Sequence, residues 1–329
     1  MVGSFLSGRS GTHSISEKLA IYLNDADLIL RLVSFRYNKL LRILDIAIVS
    51  LLGKYDKMHI DTFSGPAFKI TSVALTIAKW RKKEVLLTLH GGKLPDFYTD
   101  SPGHVKGILL RADYIQTPSL FLKEFFKNQG ILANYLPNFI DLACFSYSRE
   151  NIKPQSILWV RAFTEIYNPG LAINALYEVR RRYPDATLTM IGPDKGLLAE
   201  SKKLINKLGL NSSVTITGPV PNELLYTYYQ SHEVFINTTS YESFGVAVLE
   251  AAACGIPVVS SKVGEIPFLW VNEEDMLIVD SLDESKFANE ILRLFANNNL
   301  ANKISTNARK KAENFDIRLI LGEWKKLFA

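Results

Sequence analysis

The sequence predicts an α/β fold made of two consecutive doubly wound domains, each a parallel sheet covered by helices. Strand-like apolar runs alternate with amphipathic helical stretches along nearly the whole chain, which is the pattern of parallel sheets with helical crossovers. The length of 329 residues suits two domains of ordinary size. The composition, 47% hydrophobic and 22% charged, supplies enough apolar material for two cores.

Eight short apolar runs have the length and the flanking residues of strands. They are residues 58–62, 85–89, 114–117, 156–160, 187–191, 214–217, 234–237 and 256–260. Helical patterns lie between them and at the end of the chain, at residues 67–80, 119–127, 171–182, 197–208 and 315–328. Only Met1 and Val2 precede Gly3, so we expect at most a short strand at the start.

The domain boundary is predicted near residue 138, where a strand-like run ends at Pro137. A polar, irregular stretch follows as far as Pro154, and a second α/β series then begins. The first domain is therefore placed at residues 1–138 and the second at residues 139–313. Because ligands of doubly wound sheets bind at the carboxyl ends of the strands, two facing domains are expected to form one cleft.

Composition excludes several classes of protein. The net charge of +5 is mild, and we expect no nucleic-acid partner. Cys144 and Cys254 belong to no CxxC or Cys/His cluster, which argues against a disulfide scaffold or structural zinc and suits a reducing cytosol. No secretory signal and no apolar stretch of roughly 18 residues is visible, so a cytoplasmic protein, soluble or peripherally attached to the inner face of a membrane, is expected.

The strongest local signal is the segment YESFGVAVLEAAACGIPVV at residues 241–259. Ser243 is predicted to cap a helix that starts near Phe244, and Gly255 is placed to end that helix. A buried strand follows at residues 256–260. The unpaired N–H groups at the start of such a helix favour an anion, for example a diphosphate.

Two acids accompany this helix. Glu242 stands just before its start, and Glu250 stands about two turns into it among small apolar residues. Burial of Glu250 without a partner would be costly, so we expect it to have a function. This spacing lets one acid meet sugar hydroxyls while the other meets a ribose.

The segment resembles the Glu-x7-Glu signature of retaining glycosyltransferases of family 4, which have the GT-B fold of two facing Rossmann-like domains. Further resemblances follow in the family's order along almost the entire chain. They are the glycine-rich loop at 3–11, LTLHGG at 87–92, PNFID at 137–141, ILWVR at 157–161 and VGEIP at 263–267. The resemblance also implies that a last helix, at residues 314–329, crosses back onto the first domain.

The resemblance implies a role for each matching residue. Glu242 and His90 would contact the donor sugar, Glu250 would bind the ribose, and Arg161 would stabilise charge on the leaving diphosphate. No metal or other cofactor is expected, since the nucleotide-sugar is itself a substrate. Further donor contacts are implied for positions that expose backbone, namely Gly8, Gly11, Ser243, Phe244, Gly245 and Val246.

One departure from the family concerns the phosphates. A lysine usually follows the arginine by about five residues, but Ile166 and Tyr167 stand there in this chain, and Arg161 lacks the usual preceding glycine. Lys262 is a candidate substitute. Loss of one charged contact costs on the order of 3 kcal/mol in a transition state, so a catalytically inactive binding or scaffold protein is an alternative.

A basic stretch at residues 28–44 is predicted to form an amphipathic helix. At about 100° per residue, its four cations fall within roughly 140° of the helix circumference. Such a helix can lie on an anionic membrane, and the alternative is a core helix with a solvated basic face. The cations are Arg31, Arg36, Lys39 and Arg42.

The expected function is transfer of a sugar from a nucleotide-sugar donor to an acceptor hydroxyl with retention of anomeric configuration. The acceptor implied by the resemblance is a glycan or a lipid-linked acceptor in cell-surface polysaccharide or lipid-linked glycan synthesis. Besides the inactive binding protein, a nucleotide-sugar epimerase of the same fold remains an alternative. Turnover of a donor without any acceptor would distinguish the epimerase.

Overall fold

The computed structural model describes residues 1–3, 5, 14–24, 30–33, 35–36 and 38–328, with the side chain of Lys39 excepted. The chain divides into two compact units. Unit 1 comprises Met1–Asn138 and Arg318–Ala329, and unit 2 comprises Phe139–Ile317.

Unit 1 is built on a parallel sheet whose four strands lie in the order β1-β2-β3-β4. The strands are β1 (Lys57–Thr62), β2 (Glu84–Leu89), β3 (Tyr114–Thr117) and β4 (Asn134–Tyr135). The helices are α1 (Ile15–Asn24), α2 (Lys39–Leu52), α3 (Phe68–Trp80), α4 (Leu94–Asp100), α5 (Pro102–Leu109) and α6 (Leu120–Asn128). β1 and β2 are buried over almost their whole length, as expected of parallel strands covered on both faces.

Unit 2 contains a six-stranded parallel sheet in the order β10-β9-β8-β5-β6-β7. Its strands are β5 (Lys153–Val160), β6 (Thr187–Ile191), β7 (Val214–Gly218), β8 (His232–Asn237), β9 (Val258–Ser261) and β10 (Leu277–Val279). Its helices are α7 (Pro169–Arg180), α8 (Leu198–Lys207), α9 (Leu225–Ser231), α10 (Val246–Cys254), α11 (Ile266–Leu269), α12 (Glu284–Ala296) and α13 (Asn298–Glu313). One core packs α10 and α13 against the sheet, and a second packs α7 and α12.

The last helix, α14 (Ile317–Phe328), begins at the end of unit 2 and lies almost entirely in unit 1. Trp324 is buried there, with its ring 5.5 Å from the ring of His59 on β1. Near the start of the chain, Val2 forms isolated parallel bridges to Val33 and Ile60 and is buried in the unit 1 core. Of the expected first strand, only Val2 forms parallel bridges in the structure.

The predicted α/β architecture with parallel sheets is confirmed. The strands at residues 114–117 and 187–191 have the predicted bounds. Apart from the basic helix at residues 28–44, the other predicted strands and helices differ from the structure by one to three residues at their ends.

The predicted basic helix over residues 28–44 is wrong. Residues 30–33 are not helical, and Val33 pairs with Met1 and Gly3 through backbone hydrogen bonds. The helix begins only at Lys39, because the side chain of Asn38 accepts hydrogen bonds from the first amides and caps it. Arg31 and Arg36 therefore lie outside the helix, and no basic face of the predicted kind exists within the described residues.

Candidate functional site in unit 2

The strand order of unit 2 identifies the edge where a ligand is expected. From β5, the chain first builds the sheet in one direction through β6 and β7, and then returns to build it in the other through β8, β9 and β10. The neighbouring strands β5 and β8 thus form a topological switch point, where loops from adjacent strands leave in opposite directions. Ligands of open α/β sheets bind in the crevice at the carboxyl ends of such strands.

Polar side chains gather at this switch point. Arg161 directly follows β5, Asn237 is the last residue of β8, and Glu242 lies in the loop that leads from β8 to α10. The guanidinium of Arg161 donates from Nε and Nη2 to Oδ1 of Asn237, at 3.2 and 3.1 Å. Its Nη2 also donates to Oε2 of Glu242 at 2.5 Å. The structure therefore joins two residues that the sequence assigned separately to phosphate and sugar.

Further contacts fix the orientation of this guanidinium. Its central carbon lies 5.0 Å from the centre of the Tyr167 ring, close enough for a cation–π interaction. Asn237 is fully buried, and its amide donates to the hydroxyl of Ser260 on β9 at 3.0 Å. Tyr167 is one of the two residues, with Ile166, at the place where the resemblance led us to expect a lysine, and its ring lies against the guanidinium of Arg161.

The charged pair is largely withdrawn from solvent, with side-chain exposures of 10% for Arg161 and 8% for Glu242. Burial is the largest influence and lowers the pKa of Arg161, but the charges around it, that of Glu242 first, together raise it more, so the net direction is upward. The guanidinium therefore stays charged at any pH at which the protein is folded. Removal of only one partner from such a buried pair strongly destabilises the folded protein.

Each member of the pair keeps hydrogen-bonding capacity beyond the pair itself. Within the described residues, Nη1 of Arg161 and Oε1 of Glu242 make no hydrogen bond, and neither is among the fully buried unpaired atoms. A guanidinium donor and a carboxylate acceptor are therefore accessible side by side. This arrangement can bind an oxyanion through the arginine and a hydroxyl group through the glutamate.

The helix α10 starts at Val246, and the prediction that Ser243 caps it is wrong. Gly245 occupies the cap position with φ +90°, a left-handed conformation that glycine adopts readily, and no side chain caps the helix. The first amides of α10 consequently lack the oxygen that Ser243 was expected to supply. Phe244 is buried against Phe315, whereas Ser243 is only partly buried. Gly255 ends the helix with φ +81°, as predicted.

The backbone at Gly264 packs closely against the backbone of Glu242 and holds the loop that carries this residue. Gly264 has φ +52°, and a β-carbon there would lie 1.7 Å from the carbonyl oxygen of Glu242. That carbonyl accepts a hydrogen bond from the amide of Glu265 at 3.1 Å. The VGEIP segment thus requires glycine at this position, and it fixes the backbone from which the Glu242 side chain projects.

Glu250 lies in the second turn of α10, is 4% exposed and accepts a hydrogen bond from the hydroxyl of Tyr229 at 3.1 Å. Burial, followed by the neighbouring Glu250 charge, raises the pKa of Tyr229 well above its usual range. The phenol therefore remains a hydrogen-bond donor. Burial and Glu250 also raise the pKa of the Cys254 thiol, which makes this cysteine unreactive.

In unit 1, His90 follows β2 and is held by two neighbours. Its Nε2 lies 3.0 Å from Oδ1 of Asp61, and its ring stacks on that of Phe63 with centres 5.1 Å apart. The buried carboxylate of Asp61 also accepts a hydrogen bond from Ser16. Burial is the largest influence and raises the pKa of Asp61, but His90, His59 and the hydrogen bond from Ser16 together lower it more, so that the net direction is downward.

The remaining predicted residues lie elsewhere. Gly8 and Gly11 lie outside the residues that the structure describes. Lys262 follows β9 and lines a cavity of about 650 Å³ together with Asp280 and Lys286, two strands away from β5. Its backbone amide donates to Val279, and its side chain makes no hydrogen bond to the Arg161 cluster, as far as the described residues extend.

Sequence reasoning missed three residues of these clusters: Asn237, Tyr229 and Asp61. Asn237 ends its strand directly after three apolar residues, and Asp61 is a carboxylate near the end of β1, so an unexplained polar residue near a strand end was the available signal. Tyr229 had no comparable signal. Among the residues that the structure describes, no group of three or more His, Cys, Asp or Glu side chains is placed to hold a metal ion. In the same part of the chain, no helix is long and apolar enough to cross a membrane.

Residues 146–311 match the family model described as glycosyl transferases group 1, which covers half of the chain. A D-inositol 3-phosphate glycosyltransferase of Corynebacterium diphtheriae is 29% identical over 162 residues, which make up 48% of this chain and 38% of that protein. One component of the phosphatidylinositol N-acetylglucosaminyltransferase of Arabidopsis thaliana is 29% identical over 150 residues, 45% of this chain and 33% of that protein. The chain thus aligns with about a third to two fifths of the length of these relatives.

Solved structures resemble the chain over most of its length. The Anabaena protein HepE in complex with UDP and glucose has a TM-score of 0.78 at 19% identity, covering 94% of this chain and 88% of that one. Sucrose-phosphate synthase from Thermosynechococcus elongatus has a TM-score of 0.70 at 20% identity, covering 87% of this chain and 76% of that one. This likeness shows the GT-B fold, and the family model shows that the chain belongs to the glycosyl transferases of group 1.

Proposed function

We propose that the protein transfers a sugar from a nucleotide-sugar donor to an acceptor hydroxyl, with the donor bound by unit 2. The observation that supports this proposal most is the pairing of Arg161 and Glu242 at the switch point between β5 and β8. The guanidinium of this pair can donate hydrogen bonds to an oxyanion, and the neighbouring carboxylate can accept a hydrogen bond from a hydroxyl group. A nucleotide-sugar carries both complementary groups, phosphate oxygens and sugar hydroxyls, within a few bonds of each other.

In this proposal, Nη1 of Arg161 and the first amides of α10 bind the diphosphate. Oε1 of Glu242 accepts a hydrogen bond from the donor sugar, while Oε2 stays on the arginine. The backbone from Ser243 to Val246 supplies further donor contacts, because Gly245 removes any side-chain cap from the amides of α10. Glu250, held by Tyr229, accepts from the ribose.

Unit 1 contributes His90 and the acceptor side. Asp61 and Phe63 hold the imidazole on two sides. The role of His90 as a contact of the donor sugar is proposed from the family resemblance. In the reaction, the bond between the anomeric carbon and the diphosphate oxygen breaks, and the acceptor oxygen forms a new bond to that carbon. The acceptor proton passes to the departing phosphate, which makes a separate general base unnecessary. Arg161 and the amides of α10 carry the stabilisation of the diphosphate charge in this proposal. We propose retention of configuration on the strength of the family resemblance.

The comparisons support a class of donor and acceptor. The HepE structure is a complex with UDP and glucose, which favours a UDP-sugar as the first donor to test. Two relatives are named for an inositol phosphate or a phosphatidylinositol acceptor. We therefore propose an acceptor with a polyol or lipid-linked headgroup, used in cell-surface polysaccharide or lipid-linked glycan synthesis on the cytoplasmic side of a membrane.

A catalytically inactive donor-binding protein is the second candidate. Two observations favour it: Tyr167 replaces the expected second cation, and the guanidinium of Arg161 already shares one of its nitrogens with Glu242. In such a protein, nucleotide-sugar would bind without being turned over.

The test is a screen of UDP-, GDP- and ADP-sugars for thermal stabilisation, followed by a search for transfer and hydrolysis of each stabilising donor. We expect one nucleotide class to stabilise the protein and to be consumed when an acceptor is added. Glu242→Ala should abolish transfer while leaving a folded protein. Stabilisation without consumption favours the inactive binding protein, and the absence of stabilisation by every donor contradicts the site assignment.

A further inference from the structure

Helix α2 of unit 1 exposes a continuous apolar face. Six of its 14 residues are leucine or isoleucine with exposures between 44% and 74%. At 100° per residue, these six side chains fall within an arc of about 120° on the helix surface. They are Leu40, Leu41, Leu44, Ile48, Leu51 and Leu52.

The other face of the same helix is packed, so the exposed leucines are not simply part of a loosely attached element. Ile46 and Ser50 are buried, and α2 packs on α3. Arg42, which was predicted to lie on an exposed basic face, instead donates from Nη2 to the carbonyl oxygen of Gly3 at 2.8 Å. Among the described side chains, none in the arc of these six is charged, and the partly buried Asp45 lies about 20° beyond its edge. At roughly 21 Å the helix is too short to span a bilayer.

A basic pocket of about 720 Å³ adjoins the carboxyl end of this helix. Val49 and Ser50 of α2 contribute to its wall, and it is lined by five basic side chains and one acidic side chain. The basic residues are Arg31, Lys54, Lys57, Arg81 and Lys83, and the acid is Asp56.

Several of these charges remain exposed to solvent. Lys54, two residues beyond the apolar face, is exposed and makes no ion pair in the part of the chain that the structure describes. Asp56 is also exposed and reaches only Lys83, at 3.5 Å. Arg81 lies 5.0 Å from the centre of the Tyr55 ring and donates to two backbone carbonyl oxygens, which fixes its position. Lys57 lies 3.6 Å from Glu84, so two of the five cations have a carboxylate partner. Arg31, Lys54 and Arg81 have none among the described residues, and the pocket keeps an excess of positive charge.

We propose that α2 and this pocket together form a binding site for an anionic phospholipid bilayer. The leucine and isoleucine side chains enter the boundary between headgroups and acyl chains, with the helix lying in the membrane plane. The pocket binds the phosphate of a headgroup at the carboxyl end of the helix. This site deepens the membrane contact in the proposed function and is independent of sugar transfer.

The charge of the pocket favours a bilayer over a second copy of the chain. In a symmetric dimer, this patch meets only residues of the same patch, whose pocket carries five basic side chains and one acidic side chain, so the partner offers little negative charge to the cations. An anionic membrane surface instead complements those cations while it covers the apolar face. Lys54, two residues beyond Leu52, is the pocket cation next to the apolar face along the chain, and an anionic interface binds such a cation together with such a face.

The experiment is flotation of the full chain with vesicles of phosphatidylcholine alone and of phosphatidylcholine with about 30% phosphatidylglycerol. We expect binding to the anionic vesicles that weakens as salt is raised. Ile48→Glu with Leu52→Glu, and separately Lys54→Glu with Lys83→Glu, should each weaken partitioning about tenfold or more, since each cation near an anionic surface contributes a factor of about five.

Matched controls distinguish this site from general effects of charge. Leu132→Glu alters an exposed leucine elsewhere on unit 1, and Lys202→Glu with Lys203→Glu reverses two lysines on α8 of unit 2. The controls should bind vesicles within about twofold of the parent chain, because they lie outside the site. Equal binding of all variants, or no binding to anionic vesicles, overturns the proposal.

Two further measurements remove ambiguity. Sedimentation equilibrium tests for self-association, and a dimer that Ile48→Glu with Leu52→Glu dissociates would overturn the membrane site in favour of a second copy. Circular dichroism and nucleotide-induced stabilisation check that each variant is folded. A chain that binds nucleotide but not vesicles contradicts this inference alone, whereas a chain that binds vesicles but no nucleotide contradicts the donor site alone.

Discussion

The buried pair of Arg161 and Glu242 gives a prediction whose size follows from its burial. Glu242→Gln keeps the shape of the side chain but removes the charge that compensates a guanidinium with only 10% exposure. Breaking one partner of such a pair costs about 3 kcal/mol, because the remaining charge is left buried without compensation. Arg161→Met should cost a similar amount. Changing both residues together should cost much less than the sum, with a coupling energy of about 2 kcal/mol or more.

The assay is equilibrium unfolding in urea, followed by tryptophan fluorescence. Trp159 and Trp270 are buried in unit 2, and replacement of the buried Trp324 of unit 1 by phenylalanine makes the signal report chiefly on unit 2. The control is Glu178→Gln, which breaks a surface pair with Arg181, an arginine that is 70% exposed. We expect that control to cost less than about 0.5 kcal/mol.

Two results would refute this reasoning. If Glu242→Gln cost no more than Glu178→Gln, the pair would be solvated rather than buried. If the effects of Arg161→Met and Glu242→Gln were additive, the two charges would not interact. Either result would also remove the geometric basis for placing phosphate and sugar contacts side by side.

Four further predictions test neighbouring features. Gly264→Ala should destabilise unit 2 by about 2 kcal/mol more in urea unfolding than Gly209→Ala, because both have positive φ but only the former places a methyl group against a backbone carbonyl. Tyr229→Phe should cost about 1–3 kcal/mol in the same assay, since a buried carboxylate loses a donor. Asp61→Asn should reduce kcat about ten- to a hundredfold in a transfer assay, with donor affinity nearly unchanged, because the histidine loses its charged partner. Burial lowers the pKa of His59 from 6.5 to about 4, so the free energy of unfolding of unit 1 should be full above pH 6.5 and fall towards pH 4. The decrease of this free energy with falling pH should be smaller in His59→Gln. An equal decrease in both proteins would contradict the assignment to His59.

The elements of the fold were predictable because their signals are local. Buried parallel strands such as Tyr114–Thr117 and Thr187–Ile191 are short apolar runs between turn residues, and their bounds follow from composition alone. The prediction of the basic helix was wrong because it used local periodicity alone. Its periodicity was acceptable, but the pairing of Val33 with Met1 and Gly3, which are distant in sequence, takes those residues out of the helix.

The candidate site was predictable as a set of residues but not as a geometry. The acids and the arginine could be assigned from motifs, whereas the bond between Arg161 and Glu242 depends on the adjacency of β5 and β8, which are about 80 residues apart. The start of α10 shows a similar limit. Ser243 is a favourable cap by residue type, but the left-handed backbone of Gly245 moves the helix start past it.

The most direct test of the donor site is calorimetric titration of the full chain with UDP, GDP and ADP, compared with the same titration of Arg161→Met. We predict that one nucleotide binds to the parent chain and that the variant binds it at least about tenfold more weakly, since a charged hydrogen bond to phosphate contributes about 1.5–3 kcal/mol. Equal affinity of the two proteins, or no binding of any of the three nucleotides, would contradict the assignment of Arg161 to the diphosphate.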